Sequence, residues 1–108
     1  MTVQELVRAC GFKEITLPDP DREINGVYIG DLLSWVMGNA ESSNIWITIM
    51  CNINMGAVAT LVETSCILLA EDVVLEAEVL ETAKAKGVNI LSTDLSAYDA
   101  AIKIFGAF

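Results

Sequence analysis

Residues 21–37 read DREINGVYIGDLLSWVM and contain the first complete strand-then-helix unit of the chain. Asn25-Gly26 predicts a turn, and residues 27–30 predict a short apolar strand. Beyond the strand, apolar residues recur at helical spacing, and Asp31 stands at the N-cap position of that helix. The rest of the chain repeats this order of strand and helix, so the unit indicates the architecture of the whole chain.

Three further strand-and-helix pairs follow. The predicted strands 45–50 and 66–70 are apolar on both faces, as expected of strands that helices cover on each side, and a third strand is predicted at 88–91. The predicted helices that follow these strands span residues 55–64 with Asn54 as N-cap, about ten residues ending at Ala85, and a last segment with Ser96 as N-cap.

The N-terminal end adds a helix and an edge strand. Thr2 and Glu5 have the spacing of a capping box, and Gly11 predicts the end of this helix. Residues 12–17 predict an edge strand because they run into a Pro-Asp-Pro segment. We therefore predict an α/β fold: a three-layer sandwich with a mainly parallel sheet of about five strands and helices on both faces, in one domain over residues 1–108.

The composition predicts contact with another chain and excludes nucleic acid as a partner. A hydrophobic content of 54% and a mean hydropathy of +0.53 are high for 108 residues, so part of the apolar surface is expected to be buried in a homo-oligomer, a dimer or larger. The net charge of −9, with 15 acidic and six basic residues, would repel a phosphate backbone.

The chain carries no signal for a membrane or for secretion. Its apolar runs are far shorter than the roughly 20 residues of a spanning helix, and the N-terminus lacks a basic segment followed by an apolar one. The three cysteines (Cys10, Cys51 and Cys66) have neither disulfide-framework nor zinc-site spacing. A cytoplasmic protein with reduced thiols is the expectation.

Candidate ligand-binding residues come mainly from the loops that follow the strands, because the carboxyl ends of parallel strands share one edge of a sheet. Helix capping alone explains Asp31, Asn54 and Ser96. Asn52, Ser92 and Thr93 have no capping role and suit hydrogen bonding to a small ligand. Arg22 lies between two acids and is either a solvated surface charge or a site for a phosphate or carboxylate group. The candidates are Arg22, Asp31, Asn52, Asn54, Ser92, Thr93 and Ser96. Four of them are expected to line one shared crevice: Arg22, Asn52, Ser92 and Thr93.

Nothing in the sequence predicts catalysis. Cys51 lies between a strand and a helix, but the chain has no histidine to act as its base. Neither a dinucleotide fingerprint nor a phosphate loop is present, and the acidic residues lack the spacing of a known metal loop. We therefore predict no catalytic residue, no metal and no cofactor.

Two segments resemble the DRTGG domain: DREINGVYIGDLLSWVM at 21–37 and ILSTDLSAYDAAIKIF at 90–105. Residues 21–26 match the name-giving motif, with Glu23 in place of Thr and Asn25 in place of the first Gly. Residues 90–96 are similar to the hallmark of the same family and of the related N-terminal domain of HPr kinase/phosphorylase, although Asp94 stands where proline is common. The resemblance covers essentially the whole chain.

The resemblance implies a non-catalytic regulatory or assembly module. DRTGG domains occur beside CBS domains and as stand-alone proteins, some of them encoded near iron hydrogenase genes. We therefore predict a module that self-associates and senses a small ligand such as a nucleotide or small phosphate. One alternative is a scaffold or accessory protein for a redox or hydrogenase system, without a small ligand. The least favoured alternative is an enzyme of phosphotransfer or hydrolysis.

Overall fold

A five-stranded sheet runs through the middle of the molecule, and helices cover both of its faces. The structure is a computed structural model that describes residues 1–108. In chain order its elements are α1 (Val3–Cys10), β1 (Lys13–Thr16), β2 (Gly26–Ile29), α2 (Leu33–Asn39), β3 (Asn44–Thr48), α3 (Met55–Val62), β4 (Cys66–Leu69), α4 (Ala77–Ala85), β5 (Ile90–Ser92) and α5 (Ala97–Ala107).

The strand order is β1-β5-β4-β3-β2. The four strands β2 to β5 are parallel, and β1 pairs antiparallel with β5 at one edge. The other edge is β2, which pairs only with β3. The predicted α/β fold with a mainly parallel sheet is confirmed, and the edge position of β1 was also predicted.

The sheet separates two hydrophobic cores. Side chains of α1 and α5 pack on one face, where Leu6 and Ile104 meet Ile45 and Leu68. Helices α2, α3 and α4 pack on the other face around the fully buried Trp46. Alternate residues of β3 and β4 enter the two cores, which is why these strands are apolar on both faces. Burial of each such side chain contributes about 1.5–3 kcal/mol.

Two predicted helix starts have the expected caps. The Thr2 hydroxyl accepts from the Glu5 amide at 3.1 Å, and the Glu5 carboxylate accepts from the Thr2 amide at 2.9 Å, which completes a capping box. Hydrogen bonding of the Glu5 carboxylate by the Thr2 amide, and secondly by the Thr2 side chain, lowers the pKa of Glu5 from its ordinary value of 4.5. At α5, the Ser96 hydroxyl accepts from the Asp99 amide at 3.1 Å.

Of the other two predicted caps, Asp31 is wrong, whereas Asn54 has the predicted N-cap position but lacks the capping hydrogen bond. Helix α2 has Leu32 at its N-cap, while Asp31 binds the end of β3 instead. Asn54 stands at the N-cap of α3, but its side chain makes no capping hydrogen bond. Its backbone is helical, at φ −87° and ψ −1°, whereas a capping residue is normally extended.

Two short segments also differ from prediction. Gly26 begins β2 and forms no turn, and a Cβ there would lie 2.9 Å from Nδ2 of Asn44. A larger residue at position 26 would therefore have to displace the Asn44 amide group. Strand β5 begins two residues later than predicted and includes Ser92, which is buried in the sheet and is not part of the following loop.

Candidate functional site

The structure divides the seven candidate residues between the two ends of the parallel strands. We call the end where these strands stop the carboxyl edge and the end where they begin the amino edge. Six of them follow the ends of β2, β3 and β5 or lie at the last residue of β5: Asp31, Asn52, Asn54, Ser92, Thr93 and Ser96. Arg22 precedes β2 and therefore lies at the edge where the parallel strands begin. The prediction of one crevice shared by Arg22, Asn52, Ser92 and Thr93 is corrected by this separation.

Most of the candidates at the carboxyl edge are engaged by their own loops. Asp31 Oδ1 accepts from the Thr48 hydroxyl at 2.8 Å and from the Ile49 amide at 3.0 Å, which joins the β2–α2 loop to the end of β3. Asn52 Oδ1 accepts from the Asn54 amide at 2.7 Å. These bonds account for the residue types without a ligand.

Ser92 and Thr93 line a shallow polar depression of about 340 Å³ with Gly11, Lys13, Asp72 and Asp94. The Thr93 hydroxyl already accepts from the Leu95 amide at 3.2 Å. Two aspartates face one lysine in this depression, so its charge disfavours an anionic ligand. The carboxyl edge therefore offers hydrogen-bonding groups without a positive centre.

A deeper polar cavity, here called the amino-edge pocket, opens at the opposite edge and has a volume of about 390 Å³. The loops that precede β2, β4 and β5 meet there. Its lining includes Asp19, Arg22, Thr60, Glu63, Thr64, Ser65, Lys86 and Asn89. Two of the six cationic residues of this acidic chain thus face one cavity.

The guanidinium of Arg22 is held by a main-chain carbonyl and not by a carboxylate. Its Nη2 donates to the carbonyl oxygen of Glu63 at 2.9 Å. Glu63 ends α3 in the left-handed conformation, at φ 65°, and the same carbonyl accepts from the Ser43 amide at 2.8 Å. The only ion pair of the molecule joins the N-terminus to Glu23, so Arg22 and Lys86 keep their charges uncompensated by a contacting acid.

Asn89 fixes the floor of the amino-edge pocket. Its side-chain amide donates to the carbonyl oxygens of Asp19 and Ser65, at 2.7 and 3.0 Å. The Ser65 hydroxyl in turn donates to the carbonyl of Glu23. The Thr64 hydroxyl oxygen is buried in the same wall and has no hydrogen-bond partner. The segments before β2, β4 and β5 are thereby joined into one rigid wall.

Sequence reasoning missed Lys86, Ser65 and Asn89. One signal was available for Asn89, which is an amide inside an otherwise apolar predicted strand. Such a residue is rarely buried unless all its hydrogen bonds are made, and here it is 3% exposed. No comparable signal marked Lys86, because a lysine in the last turn of a helix is explained by the helix dipole.

The remaining chemistry of the molecule is limited. No group of three or more His, Cys, Asp or Glu side chains is arranged to hold a metal ion. Burial raises the pKa of the Cys66 thiol to about 12, and burial also raises the pKa of Cys10. Cys51 is exposed, and its Sγ lies 3.8 Å from the carbonyl oxygen of Ile49. None of the helices has the length and apolarity needed to cross a bilayer.

No protein-family model matches the chain, and no curated protein sequence is similar to it. The solved structures that are similar in fold include the CBS and DRTGG domains of the regulatory region of Clostridium perfringens pyrophosphatase, complexed with the activator diadenosine tetraphosphate. The TM-score is 0.75, with 12% sequence identity over 99% of this chain and 47% of that chain. The chain therefore has a fold similar to that of part of this structure.

That likeness concerns the fold alone, because the identity is low. The chain spans about half of the regulatory region that it resembles. A DRTGG-like fold agrees with the resemblance of residues 21–37 and 90–105. The relation to the N-terminal domain of HPr kinase/phosphorylase stays a prediction.

Proposed function

We propose that this chain is a non-catalytic, DRTGG-like regulatory module that self-associates and binds a small phosphorylated ligand, such as a nucleotide, in the amino-edge pocket. The observation that carries the ligand proposal is the convergence of Arg22 and Lys86 on one cavity without a carboxylate in contact with either. The fold supports a regulatory role, since the similar pyrophosphatase region is regulatory and is complexed with a dinucleotide activator.

The chemistry of the pocket suits a phosphate group. Arginine presents five donors in a planar fork, and the Arg22 guanidinium makes only one hydrogen bond within the protein. Lys86 adds a mobile ammonium from the end of α4. An anion bound there would neutralise Arg22 and Lys86, and its affinity should fall with salt because the contact is ionic.

The acids of the same pocket favour a nucleotide over free phosphate. Asp19 and Glu63 also line the cavity and would repel an anion placed against them. Carboxylates are good acceptors for ribose hydroxyls, so a nucleoside attached to the phosphate would use them. A volume of about 390 Å³ is within the range of small-ligand sites, roughly 300–1,000 Å³.

Calorimetric titration tests the ligand site with inorganic phosphate, AMP, ATP and diadenosine tetraphosphate as probes. We expect a nucleotide to bind, and Arg22→Ala and Lys86→Ala each to weaken its binding by about tenfold or more, the value of one charge-assisted hydrogen bond. Arg8→Ala and Lys84→Ala are matched controls, because both residues are exposed and neither lines the pocket. Equal affinity in all four variants would exclude the amino-edge pocket.

The alternative of a scaffold or accessory protein for a redox or hydrogenase system is favoured by one observation. Helices α2 and α3, with the residue before α2, expose an apolar surface, here called the α2–α3 surface. It includes Leu32, Trp35, Met37 and Leu61. If no probe binds, and if native pull-down returns one stable partner that Leu61→Asp releases, this alternative replaces the ligand-sensing proposal.

A further inference from the structure

One sheet face at the edge strand β2 lacks a covering helix. Val27 and Ile29 point to the side of the sheet that carries α1 and α5, yet both are exposed strand residues. Beside them, α5 exposes a stripe of large apolar side chains at helical spacing. We call this surface the β2–α5 face; its exposed residues are Val27, Ile29, Tyr98, Ile102, Phe105 and Phe108.

We propose that the β2–α5 face is the contact between two copies of this chain. This rests on the self-association in the proposed function and names the surface that performs it. The apolar face of a sheet is stable only when another element covers it, and no element of the chain covers this part of β2. A second copy related by a two-fold axis would bring the same apolar stripe against it.

The net charge of the molecule favours the β2–α5 face, over other surfaces, as the contact with a second copy. Each copy carries a net charge of −9, so two copies repel each other at most orientations. The groove between β2 and α5 is lined by nine residues, of which none is charged, and the volume of the groove is about 490 Å³. The side chains that line the groove therefore place no carboxylate against a second copy.

The exposed area is sufficient for a dimer. Phe105 is 84% exposed and Tyr98 is 72% exposed. If a fully exposed aromatic residue is taken as roughly 200 Å² and an aliphatic one as somewhat less, the six side chains expose about 650 Å² per copy. Two copies would bury about 1,300 Å², which falls in the range of specific interfaces, roughly 1,200–2,000 Å². Aromatic residues are also the commonest anchors of such contacts.

The edge of β2 supports the same assignment. Its outer main-chain groups have no strand partner, because β2 pairs only with β3. An exposed apolar edge strand invites association with another chain unless it is covered. In the proposed dimer, α5 of the second copy covers the groove and shields this edge.

Sedimentation equilibrium of the full chain with Phe105→Asp tests the proposal, and Leu61→Asp is the matched control. Leu61 is 70% exposed on α3, on the opposite side of the sheet. We expect the native chain and Leu61→Asp to dimerise at micromolar concentration, and Phe105→Asp to raise the dissociation constant at least 30-fold. The far-ultraviolet circular dichroism of both variants should match that of the native chain, which would show that they are folded.

The outcomes separate this inference from the proposed function. If the native chain is a dimer and Phe105→Asp leaves it intact, the β2–α5 face is not the dimer contact, although the chain still self-associates. Loss of the dimer in Leu61→Asp alone would assign the contact to the α2–α3 surface instead. A native chain that is strictly monomeric would contradict both self-association and the β2–α5 contact. The β2–α5 face would then be a contact for a different polypeptide.

Discussion

The side chain of Asn89 exchanges two hydrogen bonds with the main chain of Asp19, which is 70 residues earlier. Asn89 Oδ1 accepts from the Asp19 amide at 2.9 Å, and Nδ2 donates to the Asp19 carbonyl at 2.7 Å. A third bond, from Nδ2 to the carbonyl of Ser65, is 3.0 Å long. One buried amide therefore joins the Pro18–Pro20 segment to the starts of β4 and β5.

Asn89→Ala should destabilise the protein by about 2–4 kcal/mol, because three hydrogen bonds are lost and main-chain groups are left buried without partners. Urea denaturation followed by circular dichroism measures the change. Asn39→Ala is the control, since the exposed Asn39 makes a single bond, to the Trp35 carbonyl at 2.9 Å. A loss for Asn89→Ala no larger than for Asn39→Ala would show that the amide does not hold the pocket together.

Gly56 brings α3 close to α4. A Cβ on Gly56 would lie 3.0 Å from the Cα of Ala83 and 3.2 Å from its Cβ, and the backbone atom cannot move without shifting α4. We expect Gly56→Ala to cost about 1–3 kcal/mol, despite the better helix propensity of alanine. Gly38→Ala, where nothing lies within 4 Å, should be neutral or stabilise by up to about 1 kcal/mol. Thermal unfolding should show a lower melting temperature for Gly56→Ala and an unchanged or higher one for Gly38→Ala, and two equal shifts would contradict the close packing.

The layered fold could be predicted from the sequence because its strongest signals are local. Residues 45–47 and 66–69 are apolar on both faces and are buried in the two cores, and the capping residues Thr2 and Ser96 mark true helix starts. The hydrophobic excess also predicted an uncovered apolar surface, which the structure has at β2–α5 and at α2–α3. Self-association through such a surface stays a prediction.

The site was harder to predict because it depends on which end of a strand a residue occupies. Arg22 comes before β2, whereas Asn52 and Thr93 come after their strands, so a parallel sheet places them at opposite edges. Asp31 has the sequence position of an N-cap. Its carboxylate instead accepts a hydrogen bond from the Ile49 amide just beyond the end of β3. Such competition between local and distant partners has no local signature.

Phosphorylated ligand should stabilise the protein against unfolding through the amino-edge pocket. If ligand binds only the folded state, a concentration 100 times the dissociation constant adds about 2.7 kcal/mol. Thermal shift assays with ATP should give a rise in melting temperature that Arg22→Ala reduces and Arg8→Ala retains. Raising the salt concentration from about 50 to 500 mM should also reduce the shift, because the contact is ionic. A shift that is insensitive to salt would argue against Arg22 and Lys86 as the contacts.

The capping box of α1 makes part of the stability depend on pH. Hydrogen bonds from Thr2 lower the pKa of Glu5 in the folded chain below its ordinary value of 4.5. The carboxylate therefore contributes its stabilisation fully above about pH 4.5 and loses it as the pH falls through the lower folded pKa. Glu5→Gln keeps an acceptor but cannot titrate, so the native chain should lose stability relative to this variant below pH 4.5. Urea midpoints of both proteins from pH 7 to pH 3 measure this, and parallel curves would contradict the role of Glu5.

Burial of two thiols predicts that only one cysteine reacts in the folded protein. Cys66 is fully buried with its pKa raised to about 12, and burial also raises the pKa of Cys10, so few of these thiols ionise at pH 8. Cys51 is exposed. Ellman's reagent should therefore titrate one thiol per chain rapidly in buffer and three in denaturant, and Cys51→Ser should remove the rapid phase. A rapid phase that persists in Cys51→Ser would mean that the core around Cys10 or Cys66 opens on the timescale of the reaction.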